Sequence, residues 1–253
     1  MKKYFLILKL SWQKELAYRF NLILGRARNI IVLIILYYLW LNVGQSRMIA
    51  GFSVKELFLY VFLAAILKSF IMGAQTRQPA QEINDGTFSK FLTQPINTLF
   101  YALTRLTDVL DIIFLLPIIA MIIYIASQIP VITVINYLLY FAFILVSLII
   151  ITGIHILAAA ASVYYVESEN LIWAYREAMA MGRLPQEVFP AGIQLIFTFI
   201  MPIFLMITFP AKILLGILSF KAMIFMIVYA VIFLPFSLFV WNISLKHYSS
   251  ASS

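Results

Sequence analysis

Few side chains in this chain of 253 residues could do chemistry, and those that could are scattered. Asp108 and Asp111 stand three apart, close enough on one helix face to share a cation, but Arg105 lies three residues before Asp108. An interfacial ion pair accounts for all three. No Gly-x-x-x-x-Gly-Lys-Ser/Thr run and no Gly-Lys dipeptide occurs, so the chain has no loop to cradle nucleotide phosphates. Cysteine is absent, which removes disulfides, thiolate nucleophiles and cysteine-held metals. His155 falls within an uncharged stretch, where an imidazole is either a functional group or a neutral side chain bonded to a neighbouring helix. The second reading is the plainer.

The elements that carry these residues are those of a membrane protein. The chain is 64% hydrophobic and 11% charged, with a mean hydropathy of +1.02, outside the range of soluble domains. Between Asp111 and Glu167 no residue carries a formal charge, a stretch long enough to cross a ~30 Å hydrocarbon core twice. The net charge of +8 lies beside apolar segments, not in aromatic-interleaved patches, so anionic lipid is a better counterpart than nucleic acid. Lys9 and Lys14 interrupt the apolar stretch that a leader peptide would need.

Apolar residues at 4, 8, 12, 16 and 20, among the seven basic residues of 2–28, predict an interfacial helix over 2–26, or else the ordinary basic flank of a first span. Spans follow at about 27–43, 55–74, 105–127 and 132–163, the last two joined by a turn at Ser127–Pro130. Hydropathy alone would place the fifth at 188–211. Pro190, Pro202 and Pro210 cut that segment into pieces too short to cross, so it is expected to dip in and return as broken helices, with protein covering the free backbone groups. The fifth span is then the charged 168–184, shielded by its neighbours, and the sixth is 218–244. Six crossings place thirteen of the 18 Lys and Arg residues on the side of the termini, which predicts that both termini are cytoplasmic. The small run Ala158–Ser162 would serve equally for close packing within the bundle or for a dimer seam.

One stretch does not look like lipid: QEINDGTFSKFLTQPIN, residues 81–97. Asp85-Gly86 is a turn signal, Asp85 or Thr87 can cap a helix, and Pro95 stops it after two turns. Phe88, Phe91 and Leu92 lie at i, i+3 and i+4 and share one face. So short a helix is not stable alone in water. Its aromatic face is expected to be exposed and to anchor in a partner's groove, or alternatively to lie back on the membrane surface.

The opening MKKYFLILKLSWQKELAYRFN, the island GTFSKFLTQPIN, PQEVFP and TFPAKILLG, in that order, resemble the membrane subunits of ABC-2 type exporters. The resemblance spans the whole chain, as a single transmembrane domain over 1–253. It implies an all-α integral membrane fold with an N-terminal interfacial helix, six transmembrane helices, a cytoplasmic coupling helix between spans two and three, and re-entrant helices before span six. By it, the 81–97 loop would meet a separate ATPase subunit through Glu82, Asp85, Gly86, Phe88, Phe91, Leu92 and Pro95, with Glu167 and Glu169 in a second contact. The outer re-entrant segment, 186–211, would be flanked and shaped by Pro185, Phe189, Pro190, Phe209 and Pro210. The fifth span is more charged than the family leads one to expect.

The expected function is that of a permease subunit in the plasma membrane, coupling hydrolysis by two copies of an ATPase partner to efflux of an amphipathic or lipid-linked substrate. It would pair with a second permease chain, identical or sister, and lie among membrane lipids. It would not be an enzyme itself, binding no cofactor directly and meeting ATP only through the partner. The rival is an ion-coupled secondary transporter, supported by His155 and the proline-broken 188–211.

Overall fold

The computed structural model describes residues 50–73, 88–93, 97–100, 111–164 and 168–247, together with Glu82 and scattered positions between 9 and 38. The described positions of the N-terminal segment, Lys9, Leu10, Gln13 and Leu24, are helical. Every longer element in the described residues is a helix.

Helix α1 spans Val54–Gly73 and opens with a reciprocal cap. The Ser53 backbone amide donates to the Glu56 carboxylate at 2.6 Å, and the Glu56 amide donates back to the Ser53 hydroxyl at 3.4 Å, satisfying two amides that the first turn leaves free. Helix α2 is the single turn Ser89–Leu92. Helix α3 covers Asp111–Ser127, within the third expected span; 101–110 lie outside the described residues. After the turn, the Thr133 amide donates to the Asn136 side chain at 3.1 Å at the start of α4, Val134–Tyr164. Helix α5, Ser168–Ala178, continues as a 3-10 turn over Met179–Arg183, so the charged 168–183 is helical as expected.

The following segment is broken. A short 3-10 turn, Gln186–Val188, leads to α6 (Ala191–Leu195), which runs on into a π turn over Ile196–Ile200. Helices α7 (Ile203–Met206) and α8 (Thr208–Leu214) follow, and the chain bends by 73° between 191–200 and 203–214. The cause is local: Met201 precedes Pro202 and takes φ −113°, ψ 80°, outside the helical region, as a residue before proline tends to. Pro210 shifts the expected cut and does not mark its place. It is the third residue of α8 and the helix runs on through it, while the break falls one turn earlier at Ile207, leaving the carbonyl of Met206, four residues before Pro210, without a backbone donor from that position.

The last helix, α9, spans Phe220–Lys246, with the Ser219 hydroxyl accepting from the Ala222 amide at 3.3 Å. Helices α4 and α9 are long and apolar enough to cross a membrane, and a third crossing is available if the bent segment counts as one. They run side by side in the same direction: Gly153 meets Phe233 and Ser237, Ala160 clusters with Trp241, and Tyr164 reaches His247. A Cβ at Gly153 would lie 2.7 Å from the Phe233 ring, so glycine sets how closely the two helices approach. Ala159 and Ala160 are buried in the same seam, which resolves their small size as packing within the chain. Hydroxyls along both helices, at Thr152, Ser162, Ser237 and Ser244, each donate to the carbonyl four residues back and so remain satisfied in apolar surroundings.

Candidate functional site

Two regions stand at opposite ends of the α4–α9 pair. The first is the island. Phe88 is 0% exposed, and its ring meets Trp241 edge-on with centroids 6.5 Å apart and planes at 89°. Ile156, Ala159 and Ala160 complete the seat. This corrects the expectation of an exposed aromatic at Phe88. A phenyl ring buried beside the Trp241 indole, over two alanines too small to exclude it, removes more apolar surface from water than one facing a solvated groove. The Phe88 amide donates to the Glu82 carbonyl at 2.9 Å. The outward surface of the turn consists of Lys90, Leu92 at 40% exposure, and Thr93, whose hydroxyl bonds the Lys90 carbonyl at 3.0 Å.

Beside the seat, an open apolar groove of about 560 Å³ is lined by Asn97, Leu99, Phe100, Thr152, Ile156, Leu234 and Leu238. Asn97 accepts from the Phe100 amide at 3.0 Å and so caps the helical turn at 98–100 as the chain leaves the island.

The second region is the broken segment. Each of its three successive pieces ends in a carbonyl that receives a side chain from a long helix. Tyr229 of α9 donates its hydroxyl to the Phe199 carbonyl at 3.0 Å. Ser147 of α4 donates to Met206 at 2.9 Å, and Asn136 of α4 donates its amide to Ile213 at 3.2 Å. Helix C-termini leave carbonyls without internal partners, and in an apolar medium each would cost several kcal/mol if left bare. Tyr229 and Ser147 meet that need at Phe199 and Met206, whereas the Ile213 carbonyl accepts from the Gly216 amide at 3.0 Å as well as from Asn136. Lys212, 8% exposed, forms an ion pair with Glu187, tying α8 to the turn before α6. Phe204 holds Phe189 and Phe197 at ring centroid distances of 5.5 and 6.0 Å.

Of the expected island residues, Asp85, Gly86 and Pro95 lie outside the described residues, as does Glu167. Glu82 is half-buried, Phe91 is in the helical turn, and Glu169 is in the first turn of α5. Pro185 and Pro210 are buried, Phe209 packs into the core and Pro190 is exposed just before α6. His155 is buried on α4, and no group of three or more His, Cys, Asp or Glu that could hold a metal occurs among the described residues. Sequence reasoning passed over Asn136, Ser147, Tyr229 and Trp241. The available signal was isolated polar atoms in long apolar helices, which need a partner inside the protein.

Helical elements throughout the described residues, two of them long and apolar enough to cross a membrane, together with a capped, bent segment, point to an integral membrane protein. The family described as ABC-2 family transporter protein matches residues 27–252, so the chain belongs to that family, as a transmembrane component and not an ATPase. None of the curated proteins matches it significantly.

Proposed function

We propose that the chain is the permease subunit of an ATP-driven exporter, with six spans, both termini in the cytoplasm of a plasma-membrane protein, and a second permease chain beside it. Two ATPase subunits dock on the island, and Glu167 and Glu169 supply the smaller contact. The observation that carries this reading is the two-sidedness of the island: Phe88 roots it in α4 and α9, while Lys90, Leu92 and Thr93 face outward. A single helical turn has no stability of its own, so a rooted turn with an exposed surface is suited to receive a push and transmit it. The cargo is amphipathic or lipid-linked, in keeping with the apolar groove beside the island.

Co-expression with candidate ATPases and reconstitution into vesicles tests this. Leu92→Asp with Lys90→Glu is expected to abolish ATPase co-purification while leaving membrane insertion normal. Efflux driven by an ion gradient with no ATPase present would sink the proposal in favour of the secondary transporter. The broken segment does not by itself favour that rival, because the carbonyls of Phe199, Met206 and Ile213 already accept from protein side chains and a cation would have to displace them.

A further inference from the structure

We infer that Phe88 is a transmission peg: through its seat against Trp241 and Ala160 it joins the island mechanically to the broken segment at the far ends of α4 and α9. The inference rests on the proposed function for its purpose, though not for its physics.

Three connections make up the linkage. The first is the seat. Among the island residues whose side chains are described, Glu82, Phe88, Ser89, Lys90, Leu92, Thr93 and Asn97, only Phe88 is buried. Trp241, at 3% exposure, packs edge-on against its ring. The island is therefore held to the long helices by a ring in a socket, and a tilt toward the seam moves the socket.

The second is the seam. Gly153 lies so close to Phe233 and Ser237 that α4 and α9 cannot slide past one another independently, and close-packed elements move as bodies. The third is the far contact. Asn136 and Ser147 on α4 and Tyr229 on α9 grip the carbonyls that end each piece of the broken segment. At 1.5 Å per residue, Trp241 lies ~18 Å from Tyr229 along α9, and Ala160 lies ~36 Å from Asn136 along α4. Stiff helices with a socket at one end and directional hydrogen bonds at the other form the contiguous network that coupling between distant sites uses.

Room to move is present as well. The groove of about 560 Å³ shares Leu99, Ile156 and Leu234 with the surroundings of Phe88, so a rocking island has space on one side and a packed seam on the other. Displacement of the peg is thus directed into α4 and α9.

The purified full-length chain in lipid nanodiscs provides a first readout that needs no ATPase. In hydrogen exchange, Phe88→Ala should speed exchange over 196–214 by about fivefold or more, the low end of ordinary coupling energies, while Leu92→Asp on the outward surface leaves it unchanged. Phe88→Leu, which keeps the socket filled, should fall between wild type and Phe88→Ala. Trp241→Ala should match Phe88→Ala, and the double variant should be no worse than either. In the complex with its ATPase, Phe88→Ala should leave co-purification intact and lower transport per ATP by about tenfold. Unchanged exchange over 196–214 in Phe88→Ala overturns the peg whatever the ATPase does. Loss of folded protein in both Phe88→Ala and Phe88→Leu also overturns it, by assigning the residue to stability alone. Failure of the wild-type chain to bind any ATPase strikes the proposed function and leaves the exchange result standing.

Discussion

The Ser147 hydroxyl lies 2.9 Å from the Met206 carbonyl and 3.1 Å from the Phe143 carbonyl, so one side chain serves both its own helix and the end of α7. Ser147→Ala removes the bond to α7 and leaves a buried acceptor bare. A loss of about 0.6 to 2 kcal/mol is expected, seen as a lower unfolding midpoint in nanodiscs. A midpoint equal to wild type would mean the carbonyl finds another donor.

Gly153→Ala should cost about 1 to 3 kcal/mol, because its Cβ would press on the Phe233 ring and the seam would have to open. Phe233→Ala in the same chain should return part of that loss. Strict additivity of the two changes would show that they do not act through this contact.

The Lys212–Glu187 pair is asymmetric, with Lys212 buried and Glu187 substantially exposed. Glu187→Gln leaves a buried ammonium uncompensated and should cost more than Lys212→Gln, which leaves a carboxylate that water can reach. The difference is expected to be about 1 kcal/mol, discounted for solvent at the glutamate. Thermal melts of the two single variants decide it, and equal losses would contradict the asymmetry.

The Tyr140 hydroxyl is buried and has no hydrogen-bond partner among the described residues. Tyr140→Phe should therefore be neutral or stabilise by up to about 1 kcal/mol, against the usual direction of core changes. A clear loss of stability would reveal a partner for that hydroxyl.

What could be read from sequence was whatever rests on period and punctuation. The long helices Val134–Tyr164 and Phe220–Lys246 follow from long apolar runs, and the bend follows from Pro202 acting on the residue before it. Pro210 marks its break only approximately, because a proline deprives the carbonyl four residues earlier and the interruption falls at Ile207, not at the proline itself. Phe88 misled for a different reason. Spacing places Phe88, Phe91 and Leu92 on one face, but nothing local says that Ala159, Ala160 and Trp241, 71 or more residues later, leave a hole that fits a phenyl ring. Small residues mark where something can come close without saying what does.

The capping of the bent segment also bears on how the protein is made. Asn136 and Ser147 precede the carbonyls they serve, so those partners are already in place when 206 and 213 emerge. Tyr229 comes 30 residues after Phe199, which at ordinary translation speeds is a delay of about 2 to 6 s. During that interval the π turn has no donor from α9, and the nascent chain must keep it wet or shielded by the insertion machinery until the final helix arrives.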